Sequence, residues 1–174
     1  DELTVTRIDT STGKSLAVLV NFTAHPTFMT EKQMMFSGDW PGHMQRTAEA
    51  LIGSDVTVMY YNGAEGDQSP RSRPDSGDSR WELAERYGRD LGILVQKEWQ
   101  SISTQADIAF DFHHQTISLP DRSWHRDFMK TGGKEYGLSE AILTEMLPRL
   151  FPAETASSCL RLGDLVVVGI PGEM

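Results

Sequence analysis

The sequence predicts an α/β fold in which a mixed β-sheet is layered with helices. Three observations carry that prediction. Residues 16–20, 56–61 and 165–168 are short, β-branched or aromatic apolar runs, the pattern of strands covered on both faces. Segments with helical period and recognisable start signals lie between them. Each run also ends by handing a chemically competent side chain to a turn: His25 before Pro26, Ser69 before Pro70, and Glu173 after Pro171-Gly172.

Taken in order, residues 4–9 and 15–22 read as a β-hairpin across the polar turn Ser11-Thr12-Gly13-Lys14. Ser37-Gly38-Asp39-Trp40-Pro41 opens a helix with proline in its first turn. Met44, Ala48, Leu51 and Ile52 are its apolar face, and Gly53 ends it. Residues 56–61 form the next strand and run into the glycine-rich bend Asn62-Gly63-Ala64-Glu65-Gly66-Asp67-Gln68-Ser69-Pro70. Glycines there permit positive φ, and Pro70 stiffens the exit. Ser79-Arg80-Trp81-Glu82 is a capping box opening a second helix, with Leu83, Ala84, Tyr87, Leu91, Leu94 and Val95 as its buried stripe. Residues 108–117 form a further strand, and a third helix runs from Ser139 towards Leu147, limited by Pro148. Residues 68–78 and 120–137 are loops rich in Gly, Pro, Arg and Asp; the first is expected to line the site and the second to be mobile.

In open α/β sheets, ligands sit at the carboxyl ends of strands. If their strands are parallel neighbours, His25, Ser69 and Glu173 converge, and histidine with carboxylate is a donor set that suits zinc. Each residue also has an ordinary reading: His25 as a loop hydrogen-bonder, Ser69 and Asp67 as turn residues, Glu173 as a surface turn residue. The other histidines compete poorly as ligands. His113 and His114 are adjacent on a strand and face opposite ways, His43 lies in a first helical turn, and His125 sits in a loop beside Trp124.

The order of four blocks adds a resemblance. Val20-Asn21-Phe22-Thr23-Ala24-His25-Pro26-Thr27, then Ser37-Gly38-Asp39 with Gly42, then the bend from Asn62 to Pro70, then Pro171-Gly172-Glu173 resembles the neutral/alkaline (non-lysosomal) ceramidase family. The resemblance covers nearly the whole chain and implies that residues 1–174 are a single-domain fragment of a larger, ceramidase-like catalytic domain. It implies a zinc-dependent amidohydrolase that cleaves the N-acyl amide of a ceramide-like sphingolipid. His25 and Glu173 would be zinc ligands and Ser69 the catalytic serine. Asp39, Asp67 and Gly66 would be substrate-contacting or ligand-supporting groups, with Asp67 alternatively a turn-stabilising residue. The family's His-Thr-His-like motif and the tyrosine that completes its zinc shell have no counterpart in this sequence, so weak zinc binding is expected of these 174 residues alone. Gln68 and Arg71 stand where ceramidases commonly carry Val and Asn, and with Arg73 and Arg80 they bear on substrate identity. The family also favours a secreted or periplasmic location.

Zinc polarises a carbonyl and lowers the pKa of bound water to about 7, which suits an amide's poor electrophile. Whether Ser69 or metal-bound hydroxide attacks stays open, and N–H groups of the Gly63–Gly66 bend are candidates for stabilising an oxyanion. Two other classes remain: a non-catalytic lipid- or glycan-binding remnant of the scaffold, and a metal-free serine hydrolase, which the absence of Gly-x-Ser-x-Gly disfavours.

Composition sets outer bounds. At 174 residues and 39% hydrophobic, the chain can form one sizeable core. A net charge of −9 argues against nucleic acid and against docking on anionic membranes. No run approaches the ~18 apolar residues of a membrane span, and the oligomeric state is not encoded in any motif. Cys159, the single cysteine, cannot form an internal disulfide and suits a buried strand position.

Overall fold

The computed structural model describes residues 2–71, 77–120, 125–150 and 152–172. These fall into two compact units, one ending at Ile108 and one spanning Ala109–Gly172. The predicted α/β class holds: each unit has a three-stranded sheet accompanied by helices.

In the first unit, β1 (Leu3–Asp9) and β2 (Ser15–Phe22) form the predicted hairpin, and β3 (Thr57–Asn62) joins β2 in parallel. Helix α1 (Asp39–Ile52) makes the crossover between β2 and β3. The register pairs Phe22 with Asn62, so both strands end at one edge of the sheet. β3 is an edge strand, and the outward N–H and C=O of Val58 are covered by α1. Glu49 Oε1 accepts from Val58 N at 3.0 Å, and Gln45 Nε2 donates to Val58 O at 2.8 Å. Two side chains one helical turn apart thus close an edge that would otherwise invite strand pairing.

Helix α2 (Arg80–Ser101) opens on the predicted capping box. Ser79 Oγ accepts from Glu82 N, and Glu82 Oε2 accepts from Ser79 N at 2.7 Å. Its buried stripe differs from the prediction. Leu94 is exposed, as is Leu51 on α1, and Gly88 and Gly92 take the centre of the contact between the helices. A Cβ on Gly88 would lie 2.3 Å from Trp40 O, and one on Gly92 would lie 2.8 Å from Met44 O. Two glycines one turn apart let α2 pack against the α1 backbone; the leucines are displaced from a seam that has no room for them.

β2 buries Val18, Val20 and Phe22 on one face, while Leu16 is exposed. On the opposite face Ala17 is buried and Leu19 half-buried, while Val18, Val20 and Phe22 share the core with Trp40, Met44, Ala48, Val58, Ala84, Leu91 and Val95. Near the end of β1, beside the C-terminus of α2, Arg7 donates to Asp9 Oδ1 at 3.0 Å and lies 4.5 Å from the centre of the Trp99 ring.

The second unit orders its strands β4 (Phe110–Ser118), β5 (Glu154–Leu162) and β6 (Leu165–Gly169), all antiparallel. Three expectations change here. β6 is an edge strand with Val166 and Val168 exposed rather than a two-face-buried one, and it shares no sheet with β2 and β3. An apolar run reports burial potential but not which sheet a strand joins. The predicted 120–137 loop contains a turn of 3-10 helix at Phe128–Lys130 and the short helix α3 (Gly132–Glu135). Helix α4 (Glu140–Leu150) starts on Ser139 as predicted but continues past Pro148. Pro148 gives up its own N–H bond, but only two residues of the helix follow it. Cys159 is half-buried on β5.

Gly88→Ala tests the helix seam. Propensity alone would stabilise the helix by about 1 kcal/mol, whereas a backbone carbonyl at 2.3 Å cannot rotate away. Urea unfolding should show a net loss of at least about 1 kcal/mol, against a change within about 0.5 kcal/mol for the exposed Arg89→Ala. A stabilised Gly88→Ala would contradict the close approach.

Candidate functional site

The loops after β2 and β3 are clipped together at one atom. The Gln68 carbonyl accepts from the backbone N–H of His25 at 3.0 Å and from its ring Nδ1 at 3.0 Å. A carbonyl only accepts, so Nδ1 carries the proton and the lone pair of neutral imidazole stays on Nε2. That is the tautomer found where a histidine's second nitrogen serves as a metal ligand or base. Ser69 follows Gln68 directly and is exposed. The parallel neighbours β2 and β3 thus bring His25 and the Gln68-Ser69 segment together, two of the three strand ends in the predicted pattern; the third follows β6, which belongs to a separate sheet.

Several contacts hold this geometry. The indole N–H of Trp40 donates to His25 O at 3.2 Å, and the Tyr60 hydroxyl donates to Phe22 O at 3.0 Å. Gly63 N donates to the same Phe22 carbonyl at 3.2 Å, and a Cβ at this position would lie 2.3 Å from Thr23 Oγ1. Glycine here is a packing requirement: the two loops touch backbone to side chain. The bend itself closes with Gln68 N donating to Glu65 O at 3.0 Å, placing Gly66 and Asp67 at its exposed tip. Asp67 Oδ1 accepts from the Gln68 side-chain amide at 2.7 Å.

Asp39 is 3% exposed. Its Oδ1 accepts from Trp40 N at 2.6 Å and its Oδ2 from Met29 N at 2.7 Å, while its own N–H donates to Ser37 Oγ at 2.9 Å. Its φ of 47° lies in the left-handed region, which Asp tolerates better than most residues. The carboxylate therefore ties the 26–38 loop to the start of α1.

Between that loop and the end of β3 lies an open pocket of about 750 Å³. Tyr60, Asn62, Asp39, Met29, Met35 and Pro26 are among its walls. Burial, and secondarily the nearby Glu65, pushes the Tyr60 phenol far above its ordinary range, so it acts as a neutral donor. Glu65 is buried and accepts from the Asn62 side-chain amide. The sequence reading does not single out Tyr60, Asn62 or Glu65 as site residues. A signal was present: period two from the buried Val58 puts Tyr60 and Asn62 on the same face, ending on a polar group where the strand ends.

A zinc ion fits the described residues only in part. His25 has the tautomer a ligand needs, but among the described residues no three His, Cys, Asp or Glu side chains gather into a metal-holding cluster. Glu173, the second ligand implied by the family resemblance, lies outside the described residues. His113 and His114 are both exposed on β4, and His114 Nδ1 is 3.0 Å from Ser158 Oγ.

Asp39→Ala removes acceptors from two backbone N–H groups and places alanine at positive φ. Urea unfolding should register a loss of at least about 3 kcal/mol, with Asp39→Asn costing clearly less because one acceptor remains and Asn tolerates the backbone. Equal and negligible losses would mean the carboxylate does not clamp the loop.

No protein-family model and no curated protein matches the chain. Solved structures do. A neutral ceramidase from Pseudomonas aeruginosa superimposes with a TM-score of 0.64 at 17% identity, covering 97% of this chain and 34% of that one. A ceramidase complexed with C2 gives a TM-score of 0.62 at 16% identity, covering 97% and 36%. At such identities the likeness is one of fold, and this chain has the fold of part of a neutral ceramidase, spanning 34–36% of the length of these structures.

Proposed function

We propose that the chain forms part of an amide hydrolase acting on a ceramide-like lipid. The observation that carries this reading is the clip between His25 and Gln68. It sets a ligand-competent imidazole beside an exposed serine and an open pocket, on a fold that matches neutral ceramidases over 97% of the chain. We propose Ser69 as the catalytic serine, His25 and Glu173 as this chain's zinc ligands, and Asp39, Gly66 and Asp67 as supporting groups. Zinc, when bound, would supply carbonyl polarisation and a nucleophile near neutral pH.

The chain's own residues carry the rest. The Gln68 carbonyl holds the imidazole plane and orders the segment bearing Ser69. Tyr60, kept neutral, donates to Phe22 O and fixes the pocket wall without competing as a base. The Gly63 N–H is committed to the Phe22 carbonyl, so a bend donor that stabilises a developing oxyanion would come from Ala64, Glu65 or Gly66. The pocket's methionine, proline and tyrosine walls suit an apolar substrate chain, and Asn62, exposed at the end of β3, suits a polar head.

In the full-length gene product, Ser69→Ala should preserve folding and zinc content while lowering ceramide hydrolysis by at least ~10²-fold. Turnover within a few-fold of wild type would reduce Ser69 to a turn residue. His25→Ala should lower zinc affinity and activity together; one zinc per chain held at unchanged affinity would remove His25 from the shell. Full-length protein that binds ceramide but neither binds zinc nor turns substrate over would favour the non-catalytic lipid-binding remnant.

A further inference from the structure

Three consecutive residues beside the pocket are the most exposed large apolar side chains described in the first unit. Met34 is 87% exposed, Met35 69%, and Phe36 fully so. Exposed apolar residues scattered singly need no explanation, but a contiguous convex tip does.

The tip is built, not frayed. It is presented by a turn of 3-10 helix, Glu31–Gln33, with a complete capping box on Thr30 and Gln33. Met34 at φ 49° turns the chain outward, a conformation that costs a non-glycine residue energy. Asp39 anchors the base from both sides, through Met29 N and through the start of α1. From Gln33 to Gly38 there is no titratable side chain; Glu31 and Lys32 before it offset one another, and Asp39 after it is buried with its carboxylate taken up by backbone N–H groups.

The pocket decides the occupant. Met35 belongs both to the tip and to the pocket wall with Tyr60 and Asn62. A rigid protein surface packed on the tip would cover the pocket mouth. A fluid lipid surface takes up the tip and leaves the mouth open to a substrate arriving from the same phase. An uncharged tip on a chain of net charge −9 points to uncharged or zwitterionic lipid, not anionic lipid.

We propose that the Met34–Met35–Phe36 turn is an interfacial anchor that inserts into a zwitterionic lipid surface and seats the pocket mouth against it. This rests on the reading of the substrate as a lipid-borne amide, but insertion itself requires no hydrolysis. The test uses the full 174-residue chain and phosphatidylcholine vesicles containing no amide lipid. Co-sedimentation should fall at least ~10-fold when Met34, Met35 and Phe36 are all changed to Ser, with the far-UV circular dichroism unchanged. As a second readout, Phe36→Trp should gain blue-shifted emission on adding vesicles and be quenched by brominated phosphatidylcholine. Equal partition of wild type and triple variant, or Phe36→Trp emission unmoved by vesicles, would overturn the proposal. So would binding confined to anionic vesicles and abolished by salt, or a wild-type dimer that the triple variant dissolves. Because no hydrolysable lipid is present, failure here leaves the hydrolase reading standing, and loss of that reading leaves this result intact.

Discussion

Trp40 is the contact on which the first unit depends. It is fully buried one residue inside α1 and meets three rings edge-on: Phe22 at 5.8 Å, Tyr60 at 5.0 Å and Tyr87 at 5.7 Å. Those rings come from β2, β3 and α2, so one indole joins both parallel strands and both long helices. Edge-to-face packing adds about 0.5–1.5 kcal/mol per pair beyond the area buried. The indole N–H is not left unpaired in that core; it donates to the carbonyl of His25. A packing hub and a site-positioning contact are therefore the same side chain.

From that hub the site's order follows outward. Trp40 holds the His25 backbone, and the Gln68 carbonyl holds its backbone N–H and ring. Asp39, the residue before Trp40, fixes the loop that walls the pocket and carries the apolar tip. Chemistry on an exposed loop needs this kind of support, because a serine or histidine in a free loop would lose its geometry to chain entropy. The cost is visible in the backbone: Met34 and Asp39, the two non-glycine residues with positive φ among those described, bracket the turn beside the pocket.

Much of this was legible in the sequence because local rules agree with the fold. The hairpin, the capping box at Ser79 and the helix start at Asp39 follow from turn and cap chemistry acting within a few residues. The convergence of His25 with the Ser69 segment was legible because two apolar runs, each breaking at a glycine or proline turn, became parallel neighbours. What was not legible is what tertiary packing decides. Nothing local marks Gly88 and Gly92 as the helix seam in preference to Leu94. Nor does the run at Val166–Val168 reveal that it joins a separate sheet as an edge strand. Nor does anything local mark Trp40 as a packing hub, since its role depends on rings distant in sequence. Glu173 falls outside the described residues, so its expected place at the site rests on the family resemblance alone.

The Gln68 carbonyl fixes both the place and the tautomer of His25. Long-range proton–nitrogen correlation spectra of the imidazoles, recorded on the metal-free 174-residue chain at about pH 8, where a free imidazole is neutral, test it most directly. The His25 ring should be protonated at Nδ1 with an unprotonated Nε2, and that signature should be lost when a Gln68→Pro change distorts the bend. A ring protonated at Nε2, or one averaging between tautomers as free imidazole does, would contradict it.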